Sequence, residues 1–228
     1  MPAWLWIALL WAGFAGTHLV MSSASLRPRL VARLGDGPFR GLYSLAVLSW
    51  FVALVRVFAR HKHAGPVLWY TVGPPAIAEP VNFVLMLLAF VLVVAGLIPS
   101  QAAPSSMGAP TQRPAAHGVL RITRHPFNAG ASLFGLAHLL VNGALGDVLF
   151  FGGFPLFAWI GSRHQDERLA RNKAGYRELV ADTSFVPFAA VLSGRQRLVP
   201  RELPWGGFAA GVLLALAVRH WHGALFGP

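Results

Sequence analysis

Long apolar stretches almost without charged residues constrain this chain more than any other feature. Hydrophobic residues make up 55% of the sequence and charged residues only 12%. A helix needs about 20 consecutive apolar residues to cross the hydrocarbon core of a bilayer, and core helices of soluble proteins seldom reach that length. The sequence therefore predicts an all-α, polytopic membrane protein that contacts the lipid bilayer directly.

The hydropathy pattern predicts six transmembrane helices within a single domain that covers residues 1–228. Glycines in the short segment 142–146 predict a tight turn, so that the fourth and fifth helices form an antiparallel hairpin. Gly130 and Gly135 on the fourth helix predict close approach of neighbouring helices. The predicted helices are 3–21, 41–58, 81–98, 127–141, 148–162 and 206–222.

Two polar segments connect these helices. Residues 99–114 are rich in proline, serine and alanine, which predicts a flexible loop. Residues 166–180 are charged and helical in pattern, and we expect this stretch to lie along the membrane surface. The apolar face of that surface helix would be formed by Leu169, Tyr176, Leu179 and Val180.

The basic residues are distributed unequally between the two sides of the predicted bundle. Lysine and arginine accumulate in cytoplasmic loops, and fifteen of the 19 basic residues, Arg113 among them, fall on one side. This asymmetry predicts that both termini lie outside the cytoplasm, in a bacterial inner membrane or its equivalent. The net charge of +11 does not require a nucleic-acid partner, because no soluble basic domain is present to bind one.

Two histidines lie within apolar stretches, where an ionisable group is costly and usually has a partner or a function. His18 is near the end of the first helix and His138 lies in the fourth. The chain has no cysteine, so any metal or haem must be held by histidine, methionine or oxygen ligands. For each histidine, a hydrogen bond to another helix is an equally acceptable interpretation.

The second half of the chain contains four motifs in order, RITRHP at 121–126, LAHLLVNG at 136–143, TSFVPFAA at 183–190 and GRQ at 194–196. Together these motifs resemble the NnrU family, which includes the 15-cis-zeta-carotene isomerases of plants and cyanobacteria. The resemblance is firmest over residues 118–204, whereas the first helix with His18 matches more loosely.

The resemblance implies a haem b held in the bilayer by two axial histidines, and His18 and His138 match the family's ligand positions. In the isomerase branch it also implies redox-dependent cis–trans isomerisation of a carotenoid-like polyene, with an electron donor that the sequence does not identify. That branch can carry a cysteine three residues before the second histidine, where this chain has Gly135. Bacterial members are linked instead with denitrification.

Three further residues are candidates for cofactor binding. Arg121 and Arg124 would suit the haem propionates, although their basic charge also fits the topology of the chain. His125 begins the fourth helix, and His138 lies thirteen residues later, about 20 Å deeper along the axis. The geometry alone leaves either residue open as the partner of His18. His164, beside Asp166 and Glu167, is ambiguous.

Two other functions are compatible with these residues. Arg124, His125, Glu167, Gly175 and Tyr176 are similar to a motif of isoprenylcysteine carboxyl methyltransferase-type enzymes, in which the arginine and histidine would hold the carboxylate of S-adenosylmethionine. The third possibility is a haem carrier or sensor without catalysis, because a haem with two histidine ligands has no open coordination position.

Overall fold

The computed structural model describes residues 1–101 and 115–227 and is built almost entirely from helices. The helices are α1 Ala3–Met21, α2 Leu26–Leu34, α3 Asp36–Arg60, α4 Pro75–Leu97, α5 Pro126–Val141, α6 Leu145–Asn172, α7 Tyr176–Asp182, α8 Ala189–Leu192 and α9 Trp205–Phe226. Short 3-10 helices occupy Gly118–Arg121 and Pro200–Glu202. Arg113 and most of the predicted loop 99–114 lie outside the described residues.

Five helices, α1, α3, α4, α6 and α9, are long and apolar enough to cross a membrane. The sixth apolar helix, α5, has 16 residues and is therefore about 24 Å long, which is less than the roughly 30 Å of a hydrocarbon core. The prediction of an all-α multi-pass membrane protein is confirmed. Each predicted helix is present, and the predicted bounds of α1 match those of the structure.

The helices pack in a row rather than around a common centre, in the order α9, α4, α5, α6, α1 and α3. Glycines allow the closest contacts within this row, as predicted. A Cβ atom at Gly130 would lie 2.7 Å from the carbonyl oxygen of Ala89 on α4. At Gly135 it would lie 2.4 Å from the carbonyl oxygen of Phe151 on α6. Because van der Waals packing drives helix association in lipid, these glycines hold α5 tightly between its neighbours.

Aromatic side chains fill the contact between α1, α3 and α6. Trp11 is 8% exposed, and its indole nitrogen donates a hydrogen bond to the carbonyl oxygen of Phe150 at 3.1 Å. Phe14 packs edge to face on Phe157, with ring centroids 4.8 Å apart. These contacts fix the register of α1 against α6.

The prediction of a separate surface helix at 166–180 is wrong in its boundaries. α6 continues ten residues beyond the predicted end at Ser162, to Asn172, because nothing in this stretch stops a helix before Gly175. That glycine has a φ of +76° and starts α7 at Tyr176. The expected apolar face does exist, since Leu169, Tyr176 and Leu179 form a buried cluster.

The predicted hairpin of α5 and α6 is present, and its turn pairs with a more distant segment. Strand β1 at Val67–Trp69 pairs antiparallel with strand β2 at Gly143–Ala144. Nearby, the buried Asp147 carboxylate accepts a hydrogen bond from the His63 ring at 2.7 Å. These contacts tie the loop after α3 to the turn between α5 and α6.

Candidate functional site

His18 lies at the end of α1 against the middle of α6. Its ring packs edge to face on Phe157 with centroids 5.0 Å apart, and on Tyr43 of α3 with centroids 5.5 Å apart. His18 is also one of the residues that line a cavity of about 190 Å³ between α1, α2, α3 and α6. His18 is therefore held by aromatic contacts while part of it lines an open space.

The cavity is strongly basic. Its lining includes three arginines, two histidines and a tyrosine, and none of the described residues that line it is a carboxylate. Arg27 and Arg40 lie near Asp36, which forms ion pairs with both of them. The basic and polar side chains of the lining are His18, Ser22, Arg27, Arg40, Tyr43, His164, Gln165 and Arg168.

Three buried polar atoms at this cavity have no hydrogen-bond partner within the part of the chain that the structure describes. They are Nδ1 of His18, Nε2 of His164 and Nε of Arg168. The Arg168 guanidinium donates from Nη1 to the carbonyl oxygen of Ser22 at 3.1 Å. Buried polar groups are normally paired, so this region has unused hydrogen-bonding capacity.

His138 lies near the end of α5 and is already engaged by its surroundings. Its Nδ1 atom lies 2.9 Å from the carbonyl oxygen of Phe134, one turn earlier in the helix. Its ring stacks on Phe151 with centroids 4.2 Å apart and an interplanar angle of 14°. The hydrogen bond lies within α5 itself, so it is not the bond to another helix that the sequence left open as an alternative to metal binding.

His18 and His138 do not meet in this structure. The His18 ring packs on Phe157 and the His138 ring on Phe151, and six residues of α6 correspond to about 9 Å along its axis. Trp11 and Phe154 pack against each other between these two levels. A metal bound by both histidines needs each nitrogen at about 2 Å, so the pair does not fit one haem iron without a shift of α1 against α5. Their joint ligation stays a prediction.

Gly135 has no room for a side chain. Its Cβ position is 2.4 Å from the carbonyl oxygen of Phe151 and 2.7 Å from Cδ of Pro155. The cysteine that the isomerase branch can carry here is thus replaced by a residue that the contact of α5 with α6 requires. A thiolate at this position is incompatible with the observed packing.

Arg124 and His125 converge on the carboxylate of Asp166. Arg124 donates from Nη2 to Oδ2 of Asp166 at 2.7 Å, and His125 Nε2 lies 2.8 Å from Oδ1. The Tyr176 hydroxyl donates to the same Oδ1 atom at 2.6 Å. Arg124 is 7% exposed and His125 only 1%. Burial, together with the bond to this carboxylate, raises the pKa of Tyr176 well above its usual value.

This cluster joins three separate segments. The second terminal nitrogen of Arg124 donates to the Thr183 hydroxyl at 3.0 Å, and the Arg124 backbone N–H donates to the carbonyl oxygen of Ser184 at 2.8 Å. The cluster thereby fixes the start of α5 to α6 and to the chain after α7. His125 Nδ1 has no partner among the described residues, which suits a tautomer that carries its proton on Nε2.

The Asp166 cluster bears directly on the methyltransferase interpretation. In that interpretation Arg124 and His125 would bind the carboxylate of a soluble cofactor. In the structure, the side chains of Arg124 and His125 bind the carboxylate of Asp166, which belongs to the protein itself. Tyr176, which is part of the same methyltransferase-like motif, also donates to this carboxylate. These residues therefore form a structural network, and their predicted role in cofactor binding stays a prediction.

Arg121 forms a second, more exposed clamp. Its Nε and Nη2 atoms donate to the two carboxylate oxygens of Glu202 at 2.8 and 3.0 Å, and Nη1 donates to Gln196 at 2.6 Å. The Arg121 guanidinium and the Gly118 backbone N–H hold the pKa of Glu202 at about 2. All three side-chain nitrogens of Arg121 donate hydrogen bonds to other residues of the protein. Its contact with a haem propionate stays a prediction.

The sequence did not indicate the cavity, although one signal was present. His164 and Arg168 are four residues apart and so lie on one face of a helix, whereas Asp166 between them points the other way. If the fifth predicted helix is extended beyond Ser162, His164 and Arg168 fall on one of its faces and Asp166 falls on another. The sequence around Tyr43 gives no comparable indication of the cavity.

Comparisons with known proteins identify the family. The chain is 31% identical over 194 residues to the chloroplastic 15-cis-zeta-carotene isomerase of Zea mays, a match covering 81% of this chain and 50% of that protein. It is 31% identical over 190 residues to the same enzyme of Arabidopsis thaliana, with 77% and 47% covered. The chain thus spans about half the length of these relatives, and no solved structure matches it significantly. The model of the NnrU protein family matches residues 6–228, and the chain belongs to that family.

Proposed function

We propose that this protein is a membrane isomerase that acts on a carotenoid-like polyene. The observation that carries the proposal is the 31% identity to two 15-cis-zeta-carotene isomerases across about four fifths of the chain. The substrate named for those relatives is lipid-soluble, and the helices of this chain present exposed apolar side chains to the bilayer, including Leu45, Leu136 and Leu213.

The substrate would reach the protein from the bilayer. The cavity beside His18 measures about 190 Å³, whereas pockets that enclose drug-sized ligands begin at about 300 Å³. A carotenoid-length polyene is longer than such ligands and does not fit inside this cavity. We therefore expect it to bind along the lipid-facing surface of the helices.

Isomerase activity is tested by adding 15-cis-zeta-carotene to the purified protein in detergent or lipid vesicles, under oxidising and under reducing conditions. Chromatography of the extracted pigment is expected to show loss of the 15-cis isomer in one redox state. Protein unfolded by heat provides the background rate. No conversion above that background in either redox state would reject the proposal.

Haem b is the redox group that this proposal includes, and the packing of His18 on Phe157 and of His138 on Phe151 requires α1 to shift against α5 before both histidines can hold one iron. A visible spectrum with low-spin Soret and α/β bands is expected, and it should be lost in His18→Ala and His138→Ala. His220→Ala is the control, because His220 is an exposed histidine on α9. A spectrum that survives both changes would exclude this ligand pair.

A haem protein associated with denitrification is the alternative within the family. It would show the same spectrum and no isomerisation of 15-cis-zeta-carotene under either redox condition. A non-catalytic carrier or sensor would behave in the same way, and the identity of the electron donor is open in both. The two assays together therefore separate the isomerase from the haem proteins that lack this activity.

The proposed location is a bacterial inner membrane with both termini outside the cytoplasm. Because the chain has no cysteine, single cysteines report the topology cleanly. In Tyr70→Cys, at a position 82% exposed, labelling of intact cells by an impermeant maleimide is expected. In Arg33→Cys, on the basic side, labelling should require permeabilised cells. The reverse pattern would overturn this orientation.

A further inference from the structure

We infer that the basic cavity between α1, α2, α3 and α6 is a binding site for a phosphate group. The three unpartnered buried nitrogens of His18, His164 and Arg168 belong to residues that line this one space. The resemblance to the NnrU family assigns His18 to a haem, whereas it assigns no ligand to His164 or Arg168 in this cavity. The inference rests on those two residues and the arginines beside them, and it does not depend on the isomerase activity.

The charge of the cavity selects an anion rather than a metal cation. Arg27, Arg40 and Arg168 contribute three guanidinium groups to the lining, and within residues 1–101 and 115–227 Asp36 is the one carboxylate that forms an ion pair with any of them. A cation would be repelled by this excess of positive charge, and in the described part of the chain no group of three acidic, cysteine or histidine side chains suits a metal. Phosphate oxygens accept charge-assisted hydrogen bonds from guanidinium groups.

The hydrogen-bonding chemistry agrees with the charge. The Nε–H group of Arg168 can only donate, and it has no acceptor among the described residues. A neutral imidazole can present one N–H, so His164 can also donate toward an anion. An oxyanion bound by Arg168 and His164 would give these buried donors an acceptor, and leaving a buried donor unpaired is costly.

The position of the cavity places it at the basic surface of the membrane. Arg27 lies on α2, a short helix without buried residues that also carries Arg29 and Arg33. The side chains of Arg27 and Arg40 are 22% and 45% exposed, so the lining of the cavity includes arginines that solvent reaches. Basic pockets between membrane helices are suited to lipid head groups. The phosphate has two possible sources, a phospholipid head group or a free phosphate ion.

The test measures binding to the full chain in a neutral detergent. Isothermal titration calorimetry is performed with inorganic phosphate, and native mass spectrometry with phosphatidylglycerol and phosphatidylcholine. Phosphate binding without lipid retention would identify a free ion as the source. Retention of phospholipid without phosphate binding would identify a head group. Either result supports the site if the variants below behave as expected.

Arg168→Gln is expected to weaken binding about tenfold or more, because it removes the unpartnered donor and its charge. Arg171→Gln is the matched control, since it removes the same charge from an exposed position on the same helix and should leave binding within about twofold. His164→Leu is a second variant, which keeps every arginine and should still weaken binding about threefold or more. The inference is overturned if the wild-type protein binds neither probe. Equal losses in the variants of Arg168 and Arg171 would also overturn it.

Discussion

The two faces of α6 differ in how completely their polar side chains are paired. On one face, Asp166 accepts hydrogen bonds from Arg124, His125 and Tyr176. On the other, His164 and Arg168 line a cavity and each leaves a buried nitrogen without a partner among the described residues. One face of α6 therefore stabilises the fold, while the other has hydrogen-bonding atoms that a ligand could use. A candidate ligand site is distinguished by buried polar atoms without a partner, because polar side chains alone occur on both faces.

The largest effect is expected from Asp166→Asn on the paired face. This change leaves the buried guanidinium of Arg124 without its counter-charge, and breaking a buried ion pair costs about 3–5 kcal/mol. Denaturant unfolding in detergent measures the loss. Glu167→Gln, at the exposed neighbouring position, is the control and should change little. Equal stability of the two variants would remove the distinction between the faces.

The next effect concerns the contact of α5 with α6. Gly135→Cys places a side chain against the carbonyl oxygen of Phe151 and should destabilise the fold by about 1–3 kcal/mol. Gly152→Cys is the matched control, because no described residue lies within 4 Å of its Cβ position. The midpoint of thermal unfolding compares the two. A stable Gly135→Cys protein would show that this interface can open to accept a thiol.

A smaller effect is expected when the histidine next to each face of α6 is replaced. His125→Leu removes a hydrogen bond to the Asp166 carboxylate and should cost about 1 kcal/mol. His164→Leu removes a nitrogen that has no partner in the described structure and should change stability by no more than about 0.5 kcal/mol. Both are measured by denaturant unfolding without added phosphate. A larger loss for His164→Leu would mean that its imidazole is already paired.

The smallest effect is the pH dependence of the Arg121–Glu202 clamp. The pKa of Glu202 falls from 4.5 to about 2 in the folded protein, so its stabilising contribution is complete above pH 4.5 and is lost as the pH falls toward 2. Unfolding midpoints of wild type and Glu202→Gln should therefore differ at pH 6 and converge at about pH 2. Glu178→Gln, at an exposed position on α7, is the control. A constant difference between wild type and Glu202→Gln across this range would contradict the ion pair.

The helices were predictable because hydropathy is a local property. α1 begins and ends at the predicted residues, and the glycines at 130 and 135 mark the contacts of α5 with α4 and α6. The sequence predicts too early an end for α6, because the charged last third of this helix is typical of a segment on the membrane surface. In the structure its Leu169 is buried with residues of α7.

The site was less predictable. The sequence predicts cofactor binding for Arg121 and Arg124, whose charge suits haem propionates, and for His125, a possible partner of His18. In the structure each of them is engaged with another part of the chain. The types of the residues and their spacing in the sequence do not show how many N–H groups of an arginine already donate hydrogen bonds. They also do not show which acceptors receive those bonds. His18 was recognised by its membrane depth, whereas the Tyr43, His164 and Arg168 side chains that share its cavity were not identified as its neighbours.

The amino-acid sequence alone established the membrane class, the number of apolar helices and the family resemblance, because apolar length and short motifs are encoded by neighbouring residues. Only the tertiary structure decided which polar groups are satisfied. The partners of Asp166 include Arg124, 42 positions earlier in the chain, and His18 shares a cavity with His164 on another helix. Helix packing determines these pairings. When packing brings a carboxylate next to a residue that could bind a cofactor, that residue forms a structural contact instead.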